Sequence, residues 1–362
     1  MRKGARSVGG QMLGEGGCGR VLTLDELEFK GAAAYDVMVC DQGGNADLRV
    51  LGRARSLRDM ARIMGMGAVE LFASAVYKKG LHVSDSTDEV IRTTKMLQAI
   101  ARVPKGRRAW ATVARTMPLL QTRDSKAIIV ALRDCRDPNV MMPLYTRMQG
   151  SLFDIRDAVT GPDVLNAVRS VLDALAVLKE AGSHHRDVKD ENVLWRTSSR
   201  GNVQYVLSDF GHIKIRPNEN ATASMKGTDG FMSPLMYSRD TSGKHLFQSH
   251  MFPYVDLVPE AVWQSYSVAT IPASISPSQQ LEKNDLYAVG IILYQTFHNM
   301  DSYHNGEMVR AFAQALVDGT GLWTIEDARI QMQALETKRH TYKRIKGTIK
   351  KLNGTSIPPS RR

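Results

Sequence analysis

The sequence predicts an α+β protein built as two lobes, the first small and mainly β, the second larger and mainly α. Three observations carry that reading. Strand-like segments crowd the first 145 residues, helix-patterned segments fill most of the remainder, and Pro143 stands near the change as a short hinge. A chain of 362 residues has length for roughly two domains. With 43% hydrophobic and 23% charged residues it has the composition of a globular protein, which excludes general disorder.

Residues 8–24 read as strand, glycine turn, strand: Gln11-Met12-Leu13 leads into a glycine cluster and Val21-Leu22-Thr23-Leu24 leads out. Ala34 to Cys40 reads as a strand, stopped by Asp41-Gln42-Gly43-Gly44. Leu57, Met60, Ile63 and Met64 recur at helical spacing and predict a helix within Arg53 to Met66. Ala68 to Tyr77 is apolar and strand-compatible. Asp85-Ser86-Thr87-Asp88-Glu89 supplies short polar side chains that cap free amides, so a helix starts there and runs to about Ala101. Ala127–Leu132 and Val140–Tyr145 are the next strand candidates. Asp163 to Ala181 is an amphipathic helix. Asp285 to Phe297 is apolar all round and predicts burial on every side. Met308–Leu316 and Ile325–Leu335 read as further helices. No repeat of fixed period is present.

Charge and cysteine content narrow the setting. Cys18, Cys40 and Cys135 are too few and too scattered for a disulfide framework or a zinc cluster, which points to a reducing, intracellular setting, cytoplasmic or nuclear. The longest apolar stretch, Ala288 to Leu293, is far shorter than the roughly 18 residues a bilayer requires. The basic start MRKGARSVGG has no apolar block after it and does not read as a secretory signal. Net charge is +11, and the segment from Lys338 to Arg362 holds nine Lys or Arg and no acid. Residues 338–351 could therefore meet an anionic partner or nucleic acid, or serve only to solubilise the end of the chain.

Four motifs carry chemistry. Gly14-Glu15-Gly16-Gly17-Cys18-Gly19-Arg20-Val21 fits G-x-G-x-x-G-x-V, in which glycines let backbone amides approach phosphate oxygens. A dinucleotide fold needs a helix after such glycines, and Val21–Leu24 reads as a strand instead. His185-Arg186-Asp187-Val188-Lys189-Asp190-Glu191-Asn192 is sharper, and Asp209-Phe210-Gly211 follows it. Gly227-Thr228-Asp229-Gly230-Phe231-Met232-Ser233-Pro234 is the fourth. In this order the motifs resemble the protein kinase superfamily, with Val188 where the family pattern has leucine.

The resemblance implies a bilobal protein-kinase-like fold and phosphoryl transfer from ATP with magnesium (Mg2+) to protein hydroxyls. Asp187 would accept or orient the substrate hydroxyl proton, and Lys189, usual in serine/threonine kinases, would steady the phosphate in transit. Asn192 and Asp209 would hold magnesium, whose preference is for oxygen ligands. Gly14, Glu15, Gly16, Gly19 and Val21 would cover the ATP phosphates. Met142 and Leu144, in a segment similar to the adenine-binding hinge strand, would offer backbone atoms, with Gly150-Ser151-Leu152-Phe153-Asp154 just beyond.

The ATP-anchoring lysine of the V-A-I-K pattern is best matched by Lys78 in Ala75-Val76-Tyr77-Lys78, paired with Glu89. Lys79 is the neighbouring alternative, and another alignment puts Cys40 in the lysine's place. Leu235 replaces the glutamate expected after Pro234, unless Val258-Pro259-Glu260 supplies it. Thr222, Ser224 and Thr228 lie in the implied activation segment, the first two as candidate phosphosites. Asp285 begins a stretch similar to D-x-W-x-x-G and would hold the loop around Asp187.

The chain then divides into an extension over 1–9, a first lobe over 10–143 with an insertion near 25–66, a second lobe over 144–337 with an insertion near 236–282, and a basic tail over 338–362. Intact Asp187, Lys189, Asn192 and Asp209 favour an active kinase. Leu235 and the imperfect V-A-I-K favour a pseudokinase acting as a binding or scaffold protein.

Overall fold

Alternation along the strands of the first lobe sorts its side chains onto two faces, and the central strands bury both. The computed structural model describes residues 12–16, 19–27, 29, 33–42, 47–80, 82–104, 106–198, 201–216, 226–228, 230–233, 236, 276–297, 306–317 and 324–337. Its strands are β1 (Met12–Gly16), β2 (Gly19–Thr23), β3 (Tyr35–Asp41), β4 (Leu48–Ala54), β5 (Ala75–Lys79), β6 (Leu120–Gln121), β7 (Ala127–Asp134) and β8 (Met141–Thr146). Among the described residues they form one eight-stranded sheet in the order β1-β2-β5-β8-β7-β3-β4, with β6 beside β7. Tyr35, Val37 and Val39 of β3 point to an outer cluster with Leu24, Met60, Met64, Leu71, Tyr77 and Leu144. Met38 and Cys40 point the other way, into a cluster with Val90, Leu97, Ile100 and Trp110.

The β3–β4 hairpin lies between β2 and β5 in sequence but beyond β7 in space. β2 pairs directly with β5, Val21 opposite Lys78. Helix α1 (Leu57–Met64) returns over the outer face; Ser56 caps it by accepting from the Asp59 amide, and Gly65 ends it at φ 73°, which a glycine adopts without strain. Ala68–Tyr77, expected as one strand, divides instead. Ala68–Ser74 is helix α2, whose first turn is held by Glu70 accepting from the Gly67 amide, and the strand begins only at Ala75. A short apolar run does not distinguish the two states by its pattern.

On the inner face, α3 (Val83–Ala101) starts two residues before Asp85. The Asp85 carboxylate reaches back to accept from the His82 amide, as a residue inside the first turn does. Helix α4 (Gly106–Thr116) was not anticipated, and it packs on α3. Pro143, expected at the hinge, sits inside β8 opposite Ala131, and the strand continues to Thr146.

The second region is helical, with two small sheets. β9 (Gly150–Ser151), β11 (Val193–Thr197) and β12 (Val203–Leu207) form one, and β10 (Ser183–His184) with β13 (Lys214–Ile215) forms the other. Between β9 and β10 run α5 (Leu152–Ile155) and α6 (Gly161–Glu180); α6 buries Val164, Leu165, Val168, Val171, Leu172, Leu175 and Leu178, as its pattern predicts. The helix Pro277–Phe297 starts before the expected Asp285 and buries Leu286 to Val289 and Ile291 to Leu293. Gly290 lets the Gly306–Val317 helix approach it: a Cβ there would stand 2.6 Å from Val317 Cγ2 and 3.1 Å from the Ala313 carbonyl. A helix over 325–337 follows. No described helix is long and apolar enough to cross a membrane.

Candidate active site

The 185–192 loop leaves β10 and is fixed from below by one buried carboxylate. Asp285 accepts from the His185 amide at 2.9 Å and from the Arg186 amide at 2.8 Å. Those two bonds hold Arg186 at φ 74°, a left-handed conformation that costs a non-glycine residue free energy. Burial pushes the Asp285 carboxyl above the usual range, against the pull of the Arg186 and His185 amides. The His185 ring spans the loop: Nε2 donates to the Ser208 carbonyl at 3.0 Å and Nδ1 accepts from the Asp187 amide at 3.3 Å, the bonds of a neutral imidazole. Burial lowers its pKa in agreement with that state. Phe210 packs edge-on against the ring.

Asp187 is gripped on both oxygens. Asn192 Nδ2 donates to its carbonyl at 2.8 Å and to Oδ2 at 3.1 Å, while the Thr228 hydroxyl donates to Oδ1 at 2.7 Å. Lys189 Nζ donates to the same Thr228 oxygen at 2.9 Å and lies 3.8 Å from Asp187 Oδ2. Gly227, beside it, has φ 138°, and a Cβ there would meet the Arg186 carbonyl at 2.6 Å. Thr222, Ser224, Leu235 and Val258-Pro259-Glu260 lie outside the described residues.

Across the cleft, Lys78 on β5 pairs with Glu89 on α3 at 2.8 Å and with Asp209 at 3.4 Å. Asp209 sits at φ 62° and accepts from the Gly211 amide on Oδ1. Burial works against its charge, but Lys78 and that amide hold its pKa below the usual value. Glu89 is driven the other way: burial, joined by the nearby Asp209 charge, raises it further than Lys78 and the Tyr145 hydroxyl lower it. Lys79 projects to the opposite, exposed side of β5. Cys40 is fully buried on β3, which β7 and β8 separate from β5, and burial pushes its thiol up to about 12.

The glycine segment is a hairpin, with Gly14 opposite Val21, Glu15 opposite Arg20 and Gly16 opposite Gly19; Gly17 and Cys18 lie outside the described residues. It stands at the sheet edge beside β5. Met142 and Leu144 correct the expectation placed on them. Their strand is bonded on one side to β5 (Tyr77 opposite Leu144) and on the other to β7 (Leu132 opposite Met142), and both side chains enter the outer cluster. The backbone leaves this pairing only after Thr146. There Arg147 and Gln149 donate to the Ser74 and Trp195 carbonyls, and the Met148 amide has no such bond among the described residues.

Two contacts escaped the sequence reading. Tyr145 donates its hydroxyl to Glu89 Oε1, and Arg92 donates to the Gly211 carbonyl. Arg92 is three residues after Glu89, a spacing that shares a helix face, but nothing local names either partner.

A divalent cation suits two of these residues. The Asn192 amide nitrogen is spent on Asp187, which turns its oxygen outward, and Asp209 keeps carboxylate oxygen toward the cleft. Hard oxygen donors of this kind, few in number, fit magnesium completed by phosphate and water. No cluster of three or more His, Cys, Asp or Glu exists among the described residues to hold a metal by protein alone.

Comparison with known proteins gives three findings. The protein kinase domain model matches residues 80–247. A calcium/calmodulin-dependent protein kinase cmkB of Emericella nidulans is 34% identical over 111 residues, 29% of this chain and 27% of that protein. The human calcium/calmodulin-dependent protein kinase type 1B is 34% identical over 129 residues, 34% of this chain and 36% of that protein. The matches thus span about a third of the length of these curated relatives. Among solved structures, a Toxoplasma gondii specific rhoptry antigen kinase domain aligns over 74% of this chain and 76% of its own, at 15% identity and a TM-score of 0.42.

Proposed function

The chain belongs to the protein kinase superfamily, and on that premise we propose that it is an active serine/threonine kinase that moves the γ-phosphate of ATP to protein hydroxyls. The observation that carries this reading is the pair of networks facing each other: Lys78–Glu89–Asp209 on one side, Asp187–Asn192–Thr228–Lys189 on the other.

Phosphoryl transfer asks a protein mainly for positioning and charge neutralisation. Asp187, fixed by Asn192 and Thr228, would take the proton of the attacking hydroxyl. Lys189 would neutralise charge on the phosphoryl group as it moves. Lys78, aimed by Glu89, would hold the ATP phosphates from the other side, under the amides of Gly14, Glu15, Gly16 and Gly19 and beside Val21. The Met148 amide would meet the adenine edge. Asn192 and Asp209 would hold magnesium, which would supply positive charge against that of the phosphates. Lys189, at the loop position where serine/threonine kinases carry lysine, favours serine or threonine as acceptor, and Thr228 holds it beside Asp187. An intracellular setting accords with the unpaired Cys40 and Cys135.

The test is transfer from labelled ATP with magnesium, to the protein itself and to a generic basic protein, followed by identification of the phosphorylated residue. Wild type should label serine or threonine, and Asp209→Ala should lose at least about a hundredfold in rate. Leu235 favours a second reading, a nucleotide-binding or scaffold pseudokinase. No transfer by a folded wild type that still binds ATP would select that reading.

A further inference from the structure

We propose that Tyr145 is a positioning residue for phosphoryl transfer: its hydroxyl holds the Glu89 carboxylate so that Lys78 stays aimed at the nucleotide phosphates. This deepens the kinase reading above and rests on it. Lys78 is shared between two carboxylates, Glu89 at 2.8 Å and Asp209 at 3.4 Å. Glu89 is only 3% exposed, so water does not satisfy the oxygen that Lys78 leaves over. Tyr145 satisfies it. One carboxylate oxygen receives the ammonium and the other the phenol, and the group is held against rotation from both ends.

The phenol is itself fixed. Tyr145 lies on β8 opposite Val76, and its side chain therefore shares a face with Lys78, two residues further along β5. The Thr146 amide donates to the Pro118 carbonyl, and the Thr87 hydroxyl at the start of α3 accepts from the Met141 amide at the start of β8. Strand and helix are thus tied at one end by Thr87 and further along by the Tyr145–Glu89 bond. Phenylalanine would fill the same volume without the hydroxyl. It would leave Glu89 Oε1 unsatisfied and let the carboxylate turn off Lys78.

The experiment is a double-mutant cycle of Tyr145→Phe and Glu89→Gln, read as kcat and KM for ATP and as the rise in melting temperature that magnesium–ATP produces. Tyr145→Phe should lower kcat about tenfold, the scale of one hydrogen bond to a charged group, and raise KM for ATP severalfold, with a correspondingly smaller rise in melting temperature on adding magnesium–ATP. In the Glu89→Gln background the same change should add almost nothing, because its route of action is already cut. A Tyr145→Phe enzyme with wild-type kcat, or losses that multiply in the double variant, would overturn the proposal. Tyr145→Met, which also lacks the hydroxyl, serves if the phenylalanine variant does not fold. If wild type transfers no phosphate at all, the kinase reading fails on its own. The Tyr145 tie is then read from the ATP-induced rise: Tyr145→Phe should shrink it in wild type and not in Glu89→Gln, and an unchanged rise rejects it.

Discussion

At the scale of single residues, the site is assembled by polar groups taken out of water, with the Asp187 and Asp285 carboxylates satisfied on both oxygens. His184 shows what that costs. It is buried behind the loop, its Nε2 2.8 Å from the Ser278 hydroxyl, and burial lowers its pKa to about 4; Glu282 favours its charge, while Lys179 and Arg186 oppose it. Because the unfolded chain titrates near 6.5, it takes up a proton that the folded one refuses between about pH 4 and 6.5. The stabilisation is therefore complete above pH 6.5 and lost as pH falls toward 4. His184→Gln should shrink the difference in unfolding free energy between pH 7 and pH 5 by about 2 kcal/mol. Equal differences in the two proteins, from urea titrations, would contradict the assignment. Asp187, Asn192 and Asp209 were legible in the sequence because their spacing is local and fixed by the chemistry. Tyr145 was not, since its meaning depends on Glu89, which reaches it only through the packing of α3 on β8.

At the scale of elements, the least legible part is the connection from α3 to β7. Helix α4 buries one stripe, Ala109, Trp110 and Val113, with Met117 just past its end, and turns Arg108 and Arg115 outward, so its amphipathic pattern is clear; Pro104 and Gly106 at its start are what give the segment the look of a loop. Yet α4 packs on α3 and on α6 together. The Gln204 side chain donates to the Arg115 carbonyl, and Arg115 lies 3.5 Å from Asp173 of α6. The helix that carries Glu89 is thereby braced against the second lobe at a point remote from Lys78. Trp110, 1% exposed, is the centre of that brace. Trp110→Ala should cost about 3–5 kcal/mol of stability and speed hydrogen exchange along α3, whereas Trp110→Phe should be milder. Unchanged exchange in α3 would show that the brace carries no load. The β3–β4 hairpin was half legible: β3 declared itself by its apolar run, β4 with its arginines did not, and its place at the far edge depends on pairing with β7.

At the scale of the molecule, two lobes in sequence share one interior. The inner cluster runs from Met38, Val90 and Ile128 in the first through Leu165 and Leu172 to Leu286 and Ile292 in the second. Calorimetry should accordingly show a single cooperative transition, and two resolved transitions would mean that the lobes unfold independently. The division into strands first and helices after was legible from composition and period. That the central strands of the sheet bury both faces was not, because α1 and α2 look like parts of an insertion until their place on the outer face is known.

The detour of the chain through the β3–β4 hairpin also sets an order of events during synthesis. β2 pairs with β1 at once but lacks its second neighbour until Lys78 has been made, and β3, paired with β4, lacks its second until Asp134 has. The hairpin that would cover the phosphates thus leaves the ribosome early and waits with its edge open while its partners are translated. Distant pairings of this kind close slowly and leave strands exposed in the meantime. A nascent chain halted before β7 is the form of this protein most in need of a chaperone.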